Sequence, residues 1–238
     1  MAYLFLKAQG LAGKPVADIR IDGAGKKVTR SDNCRVSDLS VSSDNLTFTY
    51  EAKSLPYPID TSYYDNEKHT QADALSVIPF MDEMNYEGLS VSGLSDGYYG
   101  LTIGREFIGR FTARELERGI NMALLQNTPQ YKQAMKIRQM NEERWLKERK
   151  MREFYWVEYN LMRKTGMLWA CNEAAVDTLR KYRPHDIFLQ WNGDLWLQYM
   201  HKGIREDCVN EQQDLVNQIY EQNKPIPLRI EIKKFTDL

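Results

Sequence analysis

The chain has 238 residues, 42% of them hydrophobic and 27% charged, and a formal net charge of −1. That length holds one large domain or two small ones, in a composition ordinary for a globular chain. The near-zero charge excludes a global field aimed at nucleic acid or an anionic membrane, and Cys34, Cys171 and Cys208 are too far apart for a zinc or redox spacing.

The opening MAYLFLKAQGL is apolar but too short to span a membrane, and it lacks the basic lead-in and cleavage site of a signal peptide. It predicts a short amphipathic helix ended by Gly10. A helix with no cap before it reads as the end of something that precedes it. VADIRI (16–21) alternates as a strand, DGAGKK (22–27) is a turn, and Val36–Val41 and LTFTYEA (46–52) are further strands. LPYPID (55–60) is stopped by two prolines, and 60–88 is a polar, tyrosine-bearing segment with a helical piece near 71–78.

Residues 93–97 spell GLSDG, the Gly-x-Ser-x-Gly of a nucleophile elbow. The elbow needs a strand before it and a helix after it, so that the serine hydroxyl sits at a helix N-terminus. Here Leu89 and Val91 alternate with serines upstream, and Tyr99, Leu101 and Ile103 alternate with Gly100 and Thr102 downstream. Period two on both sides, around Asp96-Gly97, predicts a hairpin tip, with Ser95 as a turn residue and Gly97 at positive φ between two antiparallel strands.

From Thr112 the pattern changes to helix. Thr112 and Glu115 form a capping box opening ARELERGINMALL. Thr128-Pro129 opens a second helix that meets no glycine or proline before Gly166, about 36 residues or about 54 Å. Its middle, NEERWLKERK, should be exposed, and its aromatic end, FYWVEYNLM, buried. NEAAVDTLRKY (172–182) is a helix stopped by Pro184, 194–200 is ambiguous, and 206–223 is amphipathic and ends before Pro225. Leu228, Ile230 and Ile232 alternate in a closing strand.

Side chains with chemistry are few. His69, His185 and His201 lack any spacing that sets two metal ligands on one helical face. A triad of Ser95, His185 and Asp186 fails because adjacent residues rarely form the base and its orienting partner. The tryptophans and tyrosines of 154–169 and 191–199 could line a sugar-binding groove, although such density in helices more often builds core. No catalytic, cofactor-binding or metal site, and no cofactor, is expected from these residues.

Several stretches nevertheless resemble the C-terminal part of the SGNH (GDSL-type) hydrolases. MAYLFLKAQGL resembles the helix after their Asp-x-x-His block, VADIRID the next strand, and LTFTYEAKSLPYP a segment ending in L-P-x-P. The most specific stretch runs from Leu89 to Ala134, LSVSGLSDGYYGLTIGREFIGRFTARELERGINMALLQNTPQYKQA, and IYEQNKPIPLRIEI resembles the closing segment. The family's Asp-Gly before the last hairpin strand is here Gly104-Arg105, and a family leucine is Met122. Neither the Gly-Asp-Ser block nor the glycine and asparagine blocks of the oxyanion hole is present, and an Asp-x-x-His block would lie before Met1.

The expectation is therefore an α+β chain. Residues 1–14 would be the last helix of an absent α/β domain, 15–111 a β-rich accessory region with antiparallel hairpins, 112–225 a long-helix region and 226–238 a final strand. The resemblance implies the C-terminal accessory region of a serine esterase acting on acyl groups of carbohydrate, inactive by itself. Its partners would be the missing N-terminal catalytic domain, a carbohydrate ester substrate and a second copy in a homo-oligomer, with no nucleic acid and no membrane span. The alternative is a stand-alone, non-catalytic binding or oligomerisation module.

Overall fold

Alternating apolar residues turn the first half of the chain into strands, and the capping signals that follow turn the second half into helices. The computed structural model describes residues 2–62 and 66–235 and has an α+β fold. Tyr63, Tyr64 and Asp65 of the tyrosine-bearing segment lie outside the described residues, as do Met1 and residues 236–238. Contacts divide the chain into two units, Met1–Lys136 with Asn223–Leu238, and Ile137–Gln222.

The first unit contains both sheets. Strands β1 (Ala17–Asp22), β2 (Lys27–Asp32), β5 (Glu87–Ser92) and β8 (Ile120–Asn121) form one, in the order β2-β1-β5-β8, with β1 and β5 parallel. Strands β3 (Cys34–Val41), β4 (Asn45–Ala52), β6 (Tyr98–Ile103), β7 (Glu106–Thr112) and β9 (Leu228–Lys234) form the other, antiparallel throughout, in the order β3-β4-β9-β6-β7. The closing strand thus fills the centre of its sheet. Period-two side chains from both sheets share one core: Ile19, Ile21, Leu89 and Val91 from the first, Phe48, Leu101, Ile230 and Ile232 from the second.

Helix α1 (Ala2–Ala8) lies on this unit, tied through Tyr3 and Lys7 to Glu83 of the short helix α2 (Phe80–Glu83). Tyr3 Oη donates to Glu83 Oε2 at 2.6 Å and Lys7 Nζ to Oε1 at 2.9 Å. The lysine first, then the tyrosine, holds the Glu83 carboxyl below its ordinary range. The opposite side of α1 is bare, with Leu4 62% and Phe5 63% exposed.

Two expectations are corrected here. Residues 93–97 are not a hairpin tip, because β5 and β6 belong to different sheets and do not pair. Gly97 does have φ of 142°, in a turn that carries the chain from one sheet to the other. The hairpin is β6–β7, turning at Gly104 with φ of 63°. Secondly, the helix opened by the Thr112–Glu115 box, α3, covers only Ala113–Arg118. Gly119 at φ of 94° ends it, and Ile120-Asn121 pairs with β5 instead.

Helix α4 (Pro129–Val157) starts in the first unit and continues through the second. Thr128 Oγ1 accepts from Tyr131 N at 3.3 Å at its start. Residues 139–150 of its middle include no buried position, whereas Met151, Phe154 and Val157 are buried. The aromatic end is not buried throughout, since Tyr155 and Tyr159 are exposed and Trp156 is half-buried. A wide π-helical turn, Glu158–Met162, extends it and aims the buried Glu158 inward. Helix α5 (Glu173–Tyr182) begins at the capping Asn172, and α6 (Ile187–Tyr199) at the capping Asp186. The ambiguous 194–200 is thus the end of a helix whose start is set by that aspartate. Helix α7 (Lys202–Gln222) begins a turn earlier than its amphipathic pattern suggests. No helix among the described residues is long and apolar enough to cross a membrane.

Candidate functional site

Ser95 is exposed, and three groups meet at it. Lys234 Nζ donates to its Oγ at 2.8 Å, its Oγ and Tyr99 Oη are 3.0 Å apart, and Tyr99 Oη donates to its carbonyl oxygen at 2.9 Å. A lysine ammonium that donates to Oγ cannot also remove the Oγ proton. No helix begins within the turn, since α3 starts only at Ala113, so Ser95 lacks the helix N-terminus that a nucleophile elbow sets beneath its serine. The cluster ties β9 to the β5–β6 turn, and a Cβ at Gly97 would meet Lys234 Cε at 2.9 Å. Sequence reasoning had no signal for Lys234, which is 139 positions from Ser95.

The other triad candidates lie in the second unit. Asp186 Oδ1 accepts from Phe188 N at 2.8 Å and Leu189 N at 3.3 Å, so its carboxylate is occupied as the cap of α6. His185 borders a cavity in that unit. His201 Nδ1 lies 3.3 Å from Cys171 Sγ, both exposed, while Cys34 and Cys208 are buried. Burial pushes the Cys34 thiol up. His69 stays near Glu67, 3.9 Å away. Among the described residues no group of three or more histidines, cysteines or carboxylates could hold a metal ion.

One buried carboxylate escaped the sequence reading. Glu87 is fully buried, at the inward position two residues before Leu89 and four before Val91, and that alternation was the available signal. Its Oε1 accepts from Tyr50 Oη at 2.8 Å and Gln130 Nε2 at 3.2 Å. Desolvation outweighs these bonds and pushes its pKa up to about 7. Among the described residues, Glu87 Oε2 and Gln130 Oε1 are buried without a hydrogen-bond partner.

The aromatic residues of 154–169 and 191–199 divide in two. Phe154 and Trp196 are buried, and Trp196 Nε1 donates to Glu158 Oε1 at 2.8 Å. Glu158 Oε2 also accepts from Trp169 N at 2.8 Å, which pins the loop where Trp169 adopts a φ of 62°. Tyr155, Tyr159, Trp169 and Trp191 are exposed. Trp156 is half-buried and stands between two surface cavities of the helical unit, of about 380 and about 310 Å³.

Residues 135–224, close to the bounds of this helical unit, match a family model. That family is the diltiazem deacetylase C-terminal helical domain. A solved gut microbial diltiazem-metabolizing enzyme is similar over 99% of this chain, with 38% identity and a TM-score of 0.92. This chain spans 53% of that enzyme's length. No curated protein matches. The chain is thus similar to the C-terminal part of an esterase-like enzyme.

Proposed function

We propose that this chain is the accessory half of a longer serine ester hydrolase and contains no complete catalytic site of its own. The parent would be of the SGNH type and act on acyl groups of carbohydrate, as the resemblance of the stretch from Leu89 to Ala134 implies. The observation that carries the reading is the match to the deacetylase helical domain, joined to likeness along 99% of this chain but only 53% of the solved relative. Removal of an acetyl group from oxygen is ester hydrolysis, and the relative's remaining half has room for a catalytic domain.

The bare side of α1 supports the same reading. Leu4 and Phe5 are exposed beside an apolar cavity of about 350 Å³ lined by Tyr3, Leu6, Tyr57, Ile78 and Phe80. Val77, nearby in sequence, is 82% exposed. A surface of this kind marks an interface, and the proposed occupant is the catalytic domain. The catalytic serine, its histidine and the oxyanion donors would all come from that domain, and Ser95 would remain a turn residue.

The test is to mix this chain with the separately expressed half of the gut microbial relative that it lacks. A complex on size-exclusion chromatography, abolished by Leu4→Glu with Phe5→Glu, is the expected result. A folded partner half that forms no complex, or a complex indifferent to those two changes, would overturn the docking.

A further inference from the structure

We propose that the helical unit binds an oligosaccharide along a groove centred on Trp156. The proposal stands on this unit's own side chains and does not require the esterase reading.

Trp196 shows how this sequence buries an indole: no exposure, with Nε1 bonded to a buried carboxylate. The rings around Trp156 are treated differently. Phe188 lies 5.2 Å from Trp156, centroid to centroid, and Trp191 lies 5.6 Å from Phe188. Trp145 lines the cavity on one side of Trp156 and Tyr182 the cavity on the other, and they are 49% and 41% exposed. Trp156, Phe188 and Trp191 are held by ring contact, while Trp145 and Tyr182 each carry a cation near the ring, from Arg152 and Lys181, and still leave area open to solvent. Rings ordered in this way offer flat apolar faces at little further cost in conformational entropy.

The polar ends at the rim are uncommitted. Lys164, Tyr182 and His185 line the larger cavity, and among the described residues their side chains make no hydrogen bond. Asn160, which also lines this cavity, donates through Nδ2 to Trp156 O and keeps Oδ1 as an acceptor. The smaller cavity adds Asn192. Its charges are already balanced: Arg149 pairs with Glu153, and Arg152 with Glu148.

That combination selects the ligand class. A pyranose ring carries apolar C–H faces and a perimeter of hydroxyls that both donate and accept. Aromatic planes meet the faces, and the amide, phenol, imidazole and ammonium groups meet the hydroxyls. A purely apolar ligand would strand those polar ends, at the cost of burying them unpaired. Two cavities sharing Trp156 as a common wall accommodate successive sugar rings of one chain.

Isothermal titration of the full chain with cellohexaose, xylohexaose and trigalacturonic acid tests the proposal. At least one is expected to bind and to shift tryptophan fluorescence. Trp145→Ala and Tyr182→Ala, both at exposed positions, should each weaken that binding at least ten-fold with an unchanged circular dichroism spectrum. No binding of any of the three, or binding that both variants leave intact, would overturn the site. Leu4→Glu with Phe5→Glu should leave sugar binding unchanged, so failure of the docking surface and failure of this groove are read separately.

Discussion

The two units use aromatic and acidic residues in opposite ways. In the sheet unit, Tyr50 and Tyr99 point inward from strands and are closed over by aliphatic neighbours, and the buried acid Glu87 is only partly satisfied. In the helical unit, both oxygens of the buried acid Glu158 are bonded, while several tryptophans and tyrosines stay in solvent. A strand exposes or buries each side chain by parity alone. A helix grades exposure around its circumference, which permits half-buried rings. The difference suggests that the sheets form the scaffold and the helices present a surface.

Within α6 the contrast can be tested on one residue type. Trp196→Ala removes a buried indole and one of Glu158's partners, and should cost about 3–5 kcal/mol in urea denaturation. Trp191 sits five positions earlier and is 67% exposed. Its alanine variant should change stability by less than about 0.5 kcal/mol. Equal losses for the two would erase the distinction between core and surface rings.

The sheet unit's acid gives a pH signature. The folded chain keeps the Glu87 proton up to about pH 7, whereas the unfolded chain releases it near the ordinary carboxyl value of 4.5. The folded state therefore binds more protons between those values, and stability falls as pH rises through that window. The loss is about 3 kcal/mol in order of magnitude. Tyr50 from β4 and Gln130 from α4 face this carboxyl, and Asn121 of β8 accepts from the Glu87 amide. Glu87→Gln should flatten the slope, as read from denaturation at pH 5 and pH 7.5. A slope unchanged by that variant would mean that the acid is solvated in the folded state.

A smaller effect belongs to the turn between the sheets. Gly97→Ala places a side chain at φ of 142° against Lys234, and should cost about 1–2 kcal/mol. A neutral result would place this turn in a conformation open to any residue.

Much of this fold was legible because its signals are local. Alternation marks β1, β4, β6 and β9, the Thr112–Glu115 box marks the start of α3, and the run free of glycine and proline marks α4. What failed depends on partners distant in sequence. Asp96-Gly97 specifies a turn, but not whether the flanking strands pair with each other. Ile120-Asn121 fits a helix until β5 offers it hydrogen bonds. The exposed end of a helix rich in aromatics cannot be told from its core by density alone, so Trp191 and Trp196 read alike. Around the candidate sites, neither the contact of Lys234 with Ser95 nor the pairing of Cys171 with His201 leaves any trace in spacing.

The central claim is that the hydrolytic chemistry is not in this chain, and the most direct measurement is ester hydrolysis by the purified chain. With p-nitrophenyl acetate, the account predicts no turnover above the uncatalysed rate, and no difference between the unaltered chain and Ser95→Ala. Turnover that Ser95→Ala abolishes would make GLSDG a catalytic turn after all, and would contradict the account.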